Sequence, residues 1–332
     1  MQVETSTQIY ISKENVNTFR KAKAGLKPRR EFGRELLNVD RTPVAVESSK
    51  VEGDSPAVSP LKALFAQETA DRESVLVYQN SILEHVRARA AGYKLAKDYL
   101  STQSDITSKM RSILVDWLVD VSFKFRLAHH TLFQTVNTID RFLAVKQISK
   151  NDLQLLGATC LMLQSKYEEV YPPQLKDFLA VCDNAYTAEQ MLDMEADVLN
   201  ELGFDLSQAS SLYFLQLAQL QLKMEEKPLA FARYILETSL LDASAAKYSN
   251  AAQVAGALFL VLKIFKLGSW TAEHNNLFGV SENEVKVCAK DLYLIMQRID
   301  ASSLSAVKRK FATPEFFEVS KFKIEKANGG RQ

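Results

Sequence analysis

The sequence predicts an all-α protein of two tandem five-helix repeats, preceded by an N-terminal helix and a disordered tail. Three observations carry that expectation. Hydrophobic residues make up 47% of the 332 residues, with only 11 Gly and 8 Pro to interrupt them. From residue 106 onward, apolar side chains recur at helical spacing in ten segments with short breaks between them. The segments also repeat. Leu156-Gly157-Ala158-Thr159-Cys160-Leu161-Met162-Leu163 aligns with Val254-Ala255-Gly256-Ala257-Leu258-Phe259-Leu260-Val261 at an offset of 98.

In chain order, residues 1–70 are rich in Ser, Thr, Pro and charge without a sustained helical period, the composition of a disordered tail. Its basic run, Arg20, Lys21, Lys23, Lys27, Arg29 and Arg30, reads equally as a nuclear-import signal or as a solvated tail. A separate helix is expected over 72–96, within an N-terminal segment 71–100. Its stripes are Val75, Tyr78, Ile82 and His85, and Leu83, Val86 and Ala90. The first repeat, 101–205, holds helices near 106–126, 129–146, 151–167, 173–182 and 186–202. Pro172-Pro173 is expected to open the fourth of these. The second repeat, 206–320, holds helices near 208–224, 227–241, 248–266, 270–277 and 282–299, and residues 321–332 form a C-terminal tail. Small residues at the aligned positions let neighbouring helices come close around a central one.

Met110 to Val121 is uninterrupted by Gly or Pro, and Thr107 or Asp105 can cap its start. Met110, Ile113, Leu114, Trp117 and Val121 line one face, and Val115, Leu118 and Val119 make the other side apolar too. Such a helix is expected to be the buried, central one of its bundle.

Composition excludes several classes. There are 41 basic and 40 acidic residues for a net charge of +1, so no global field points to nucleic acid or to an anionic membrane. Cys160, Cys182 and Cys288 are odd in number and far apart, which suits a reducing compartment better than a disulfide framework or zinc site. No apolar run reaches the ~18 residues of a membrane span, and the N-terminus lacks a signal-peptide core. A soluble intracellular protein follows. His85, His129, His130 and His274 form no arrangement for catalysis, and no Gly-rich phosphate loop is present, so neither enzyme activity nor a cofactor or metal is expected.

Met110-Arg111-Ser112-Ile113-Leu114-Val115-Asp116-Trp117-Leu118 resembles the opening helix of the cyclin box. The matching pieces follow in order: Ile139-Asp140-Arg141-Phe142-Leu143, Leu163-Gln164-Ser165-Lys166-Tyr167-Glu168-Glu169, Tyr171-Pro172-Pro173 and Met194-Glu195. The resemblance covers about residues 75–320 and is closest to mitotic A- and B-type cyclins. It implies a non-catalytic subunit that binds and activates a cyclin-dependent kinase and controls cell-cycle progression at S phase or G2–M, in nucleus and cytoplasm.

The resemblance also implies sites. Lys166 and Glu195 would bind the kinase, with Leu163, Tyr167, Leu199, Phe204 and Leu206 as the apolar surface and Tyr78 and Ile82 as contacts from the N-terminal helix. His85 stands where the family has tyrosine. The repeat singles out the charged pair, because Ile264 and Tyr293 occupy the equivalent positions in the second copy. An intrarepeat salt bridge would also account for it. Met110, Ile113, Leu114, Trp117, Asp120 and Gln154 match the patch that docks Arg-x-Leu motifs of substrates and inhibitors, although core packing accounts for the apolar ones as well. Lys13-Glu14-Asn15 is a degron tripeptide of the type read by the mitotic ubiquitin ligase. The alternative is a promoter-bound transcription factor with the same repeats; it would need a zinc ribbon and a basic face, which cysteine usage and balanced charge do not supply.

Overall fold

The computed structural model describes residues 78–92, 95, 98–206, 208–222 and 224–322. The whole 1–70 tail, with Lys13-Glu14-Asn15 and the basic run, lies outside the described residues, as does the side chain of Ile82. The chain divides into a unit ending at Asn80 and a unit of Ser81–Gln332, and the fold is that of the second.

Twelve α-helices and no strand occur among the described residues. A first helix, α1 (Gln79–Gly92), is followed by α2 (Ser108–Phe125), α3 (His129–Val145), α4 (Leu153–Glu168), α5 (Leu175–Val181) and α6 (Ala188–Glu201). The second set is α7 (Ser211–Leu222), α8 (Glu226–Leu240), α9 (Asn250–Ile264), α10 (Ala272–Phe278) and α11 (Glu282–Asp300), with a short α12 (Ala306–Lys310) after it.

Local chemistry sets the helix ends. Thr107 caps α2 by accepting from the Met110 N–H at 3.3 Å. Thr187 and Gln190 close a capping box on α6, and Ser249 and Ser281 cap α9 and α11. The prolines do not open α5. It starts at Leu175 behind the Gln174 cap, whose N–H donates to Asp177 at 2.9 Å, so Pro172-Pro173 form the extended approach to the cap.

The central helix of the first repeat is α4, not α2. Every residue from Leu153 to Ser165 except Gln154 is buried, and α4 packs on α2, α3 and α6. Helix α2 keeps a polar edge instead, where Ser112, Asp116 and Asp120 meet neighbouring segments. The second repeat copies the plan, with α9 packed on α7, α8 and α11. Small residues serve both centres. A Cβ on Gly157 would stand 2.6 Å from Leu114 Cδ1, and one on Gly256 would stand 3.1 Å from the backbone nitrogen of Ala289.

Buried polar groups join the pieces. Arg111 forks onto Asp140 at 2.6 and 2.7 Å, and the Tyr99 hydroxyl donates to the same carboxylate at 2.6 Å. Burial opposes the Arg111 charge, but Asp140 outweighs it and raises the guanidinium pKa. Arg111 also donates to the Leu240 carbonyl at 2.8 Å, and Gln134 donates to the Gln208 carbonyl at 2.6 Å, which ties the repeats together. The segment after α11 is structured, which periodicity does not reveal. Phe311, Phe316 and Val319 enter the core there, and the Lys310 ammonium donates to buried Glu237 at 2.8 Å.

Candidate functional site

Lys166 stands in the last turn of α4 and Glu195 in the middle of α6. The two side chains form an ion pair in which Lys166 remains 45% exposed and Glu195 only 12%. One end of the pair is therefore presented to solvent while the other is braced by the repeat. Tyr167 is exposed beside Lys166, and Leu199, one turn beyond Glu195, is half-buried.

Helix α6 ends in a Schellman-type cap. The Gly203 N–H donates to the Asn200 carbonyl at 3.2 Å and the Phe204 N–H to the Leu199 carbonyl at 2.9 Å. Both residues are left-handed, with φ of +59°. Glycine takes that conformation freely, whereas Phe204 is strained in it and holds its ring 67% exposed. The next residue is anchored: the Asp205 carboxylate pairs with Arg89 of α1 at 3.3 Å, and its carbonyl accepts from Arg141 at 2.6 Å.

A second anchor fixes the chain leaving α4. Glu169 accepts from the Ala128 N–H at 2.7 Å and from the Thr131 hydroxyl, at the start of α3. Burial, and then the Glu169 charge, push the Glu168 carboxyl upward. Val170 and Tyr171 follow in the open, with Tyr171 82% exposed.

The expected apolar surface is corrected in two places. Leu163 and Leu206 are buried and support the face from beneath instead of lining it. Val170, Tyr171 and Tyr213 add exposed apolar area that helical periodicity does not single out. Tyr213 reaches over from the second repeat and packs on the His130 ring at 4.7 Å. Burial, then Glu168 and Tyr167, push its phenol upward. Of the residues expected from the N-terminal helix, Tyr78 and His85 are exposed.

On α2, Met110, Ile113 and Trp117 are half-buried and lie along one edge, and Gln154 of α4 is half-buried too. Leu114 is part of the core, against Gly157. Asp120 is already engaged: its carboxylate pairs with Arg309 of α12. Among the described residues no group of three or more His, Cys, Asp or Glu is placed to hold a metal. Cys160, Cys182 and Cys288 are buried as free thiols, and burial pushes Cys182 and Cys288 up to about 12.

Residues 81–207 match the family model "Cyclin, N-terminal domain", and residues 210–325 match "Cyclin, C-terminal domain". The chain belongs to the cyclin family. Among curated cyclins, it is 33% identical to G2/mitotic-specific cyclin-B of Marthasterias glacialis over 244 residues, which cover 73% of this chain and 63% of that one. It is 36% identical to Cyclin-A1-1 of Arabidopsis thaliana over 259 residues, 76% of this chain and 56% of that one. The chain thus spans less than two thirds of the length of either relative. A viral cyclin from herpesvirus saimiri shares the fold, with a TM-score of 0.58 at 22% identity, over 64% of this chain and 97% of that chain.

Proposed function

We propose that this cyclin is the regulatory, non-catalytic subunit of a cyclin-dependent serine/threonine kinase and acts in cell-cycle progression at S phase or G2–M. One observation carries the reading. Lys166 and Glu195 form a braced, half-exposed charged pair next to the exposed Tyr167, an exposed Phe204 follows the helix that carries Glu195, and the second repeat has no counterpart to the pair.

Such a face can do what kinase activation requires. A kinase is active when its mobile αC helix turns inward, so that its glutamate pairs with the lysine holding the ATP phosphates. A partner that binds the inward state better shifts the equilibrium by its differential affinity. Lys166 and Glu195 offer one donor and one acceptor group to backbone and charges around that helix. Tyr167, Phe204 and Leu199 offer apolar contact, and by the family resemblance Tyr78 and Ile82 are further kinase contacts.

The α2 edge is the docking groove for Arg-x-Leu substrates and inhibitors in this reading. Lys13-Glu14-Asn15 is a degron for the mitotic ubiquitin ligase, and the protein works in nucleus and cytoplasm. The test is co-purification: tagged chain should bring down a cyclin-dependent kinase and raise its phosphorylation of a histone-type substrate. Recovery of folded chain with no kinase, or a bound kinase left at its basal rate, overturns the reading.

A further inference from the structure

Asp120 is the acidic corner of the α2 edge, three residues beyond Trp117. Its carboxylate pairs with Arg309, and both side chains are open to solvent, 40% and 57% exposed respectively. The Arg309 guanidinium also donates to the hydroxyl of Ser305, the residue just before α12. The contact is not incidental to a loose tail. Asp116, one turn before Asp120 on α2, accepts from the Ala306 N–H at 2.9 Å and from the Ser305 N–H at 3.4 Å, which fixes the start of α12. Lys310, the residue after Arg309, is buried and paired with Glu237. With the start of α12 held by Asp116 and Lys310 pinned in the core, Arg309 is delivered to Asp120 by the fold. The adjacent cation, Lys308, is occupied by Asp300.

We propose that Arg309 is an internal competitor for the acidic corner of the groove, so that the groove selects peptides by their apolar anchors and largely discounts their basic residue. The inference rests on the docking reading given above. An incoming arginine gains Asp120 only by displacing a cation already there, and it approaches that cation at like charge. An exposed ion pair contributes little, so exchanging one guanidinium for another is close to neutral. The leucine and aromatic of the peptide keep their full contribution on Met110, Ile113 and Trp117.

The test is a coupling measurement with the full chain. A labelled peptide containing Arg-x-Leu-Phe, its Arg-to-Ala form and its Leu-to-Ala form are titrated against the parent, Arg309→Ala and Arg309→Gln. In the parent, losing the peptide arginine should weaken binding less than about twofold. In both variants the arginine peptide should gain about three- to fivefold while the Arg-to-Ala peptide stays unchanged, and the gain should fade in high salt. Circular dichroism and thermal unfolding identify variants that keep the fold; the neutral, shorter Gln keeps a hydrogen-bonding amide and a long side chain if Ala disturbs α12. Equal penalties for losing the peptide arginine in the parent and a folded variant overturn the inference alone. If the Leu-to-Ala peptide binds every protein as well as the leucine peptide does, the docking reading falls and this inference with it.

Discussion

Lys166 crosses from the end of α4 to Glu195 on α6, and the lysine is the open partner of the pair while the glutamate is nearly covered. The asymmetry separates folding from recognition. Lys166 keeps its ammonium in water and its truncation opens Glu195 to water as well, so the pair adds on the order of 0–1 kcal/mol and Lys166→Ala should unfold close to the parent's temperature. Removing one partner of a charge pair desolvated by a bound kinase costs about 2–5 kcal/mol, so affinity should fall roughly thirtyfold to several-thousandfold. Titration of kinase activation by Lys166→Ala, and by the double variant with Glu195→Ala, checks this. Full activation by the folded double variant sinks the assignment.

The groove should behave separately. Met110→Ala with Trp117→Ala should retain kinase activation and lose about ten- to hundredfold in affinity for Arg-x-Leu peptides, since a buried leucine contributes about 1.5–3 kcal/mol. Leu114→Ala belongs to another class: its side chain is core, so it should lower stability by about 2–5 kcal/mol. Denaturant melts distinguish the two. A double variant that unfolds would mark Met110 and Trp117 as packing residues only.

Asp140→Ala strands the buried Arg111 charge. Breaking such a pair costs about 3–5 kcal/mol, which should shift the melting temperature by roughly 6–20 °C at this size. A shift under about 2 °C would contradict the packing described for this junction.

Acid should weaken the junction at Glu237. Burial alone would raise this carboxyl, but Lys310 and then His129 prevail and hold it below its ordinary value. A carboxyl with a depressed folded pKa stabilises the fold above its unfolded value and loses that contribution as pH falls through the folded one. Stability should therefore decline as pH drops below about 4.5, the ordinary carboxyl value, and Glu237→Gln should be destabilised at neutral pH with a shallower decline. Parallel slopes for parent and variant below that pH would rule the linkage out.

The tail prediction concerns lifetime. Deleting residues 1–60 should leave kinase activation unchanged and prolong the protein's half-life at mitotic exit, and replacing Lys13, Glu14 and Asn15 by Ala should reproduce part of that gain. Thr42-Pro43, Ser55-Pro56 and Ser59-Pro60 offer proline-directed phosphosites in the same segment. Equal half-lives in synchronised extract for the parent and the deletion would count against the degron.

Periodicity made the ten main helices readable to within a few residues at each end, because apolar spacing and caps are local. The repeat pointed to Lys166 and Glu195 for a similar reason, since packing residues recur at the offset and these two do not. What stayed hidden is non-local. Helix α4 is apolar on every side, so nothing in its pattern tells buried Leu163 from exposed Tyr167. The centrality of α4 over α2 was equally hidden, as both are apolar nearly all round and only the placement of Ser112, Asp116 and Asp120 against other segments decides it. Arg309 lies 189 residues from Asp120, and a five-residue helix leaves no period to find. Arg111 and Asp140 were visible as motif residues, but their fork is made between helices.

Gln154 and Lys166 belong to the same buried helix, α4, one near its start and the other in the charged pair near its end. Twelve residues at 1.5 Å each set them about 18 Å apart along a shaft gripped by α2, α3 and α6. The shaft works as a gauge: neither end can advance or rotate without the other. One residue inserted between Ala158 and Leu163 would turn Lys166 by about 100° relative to Gln154, and would put out of phase two surfaces that no substitution at either end could realign.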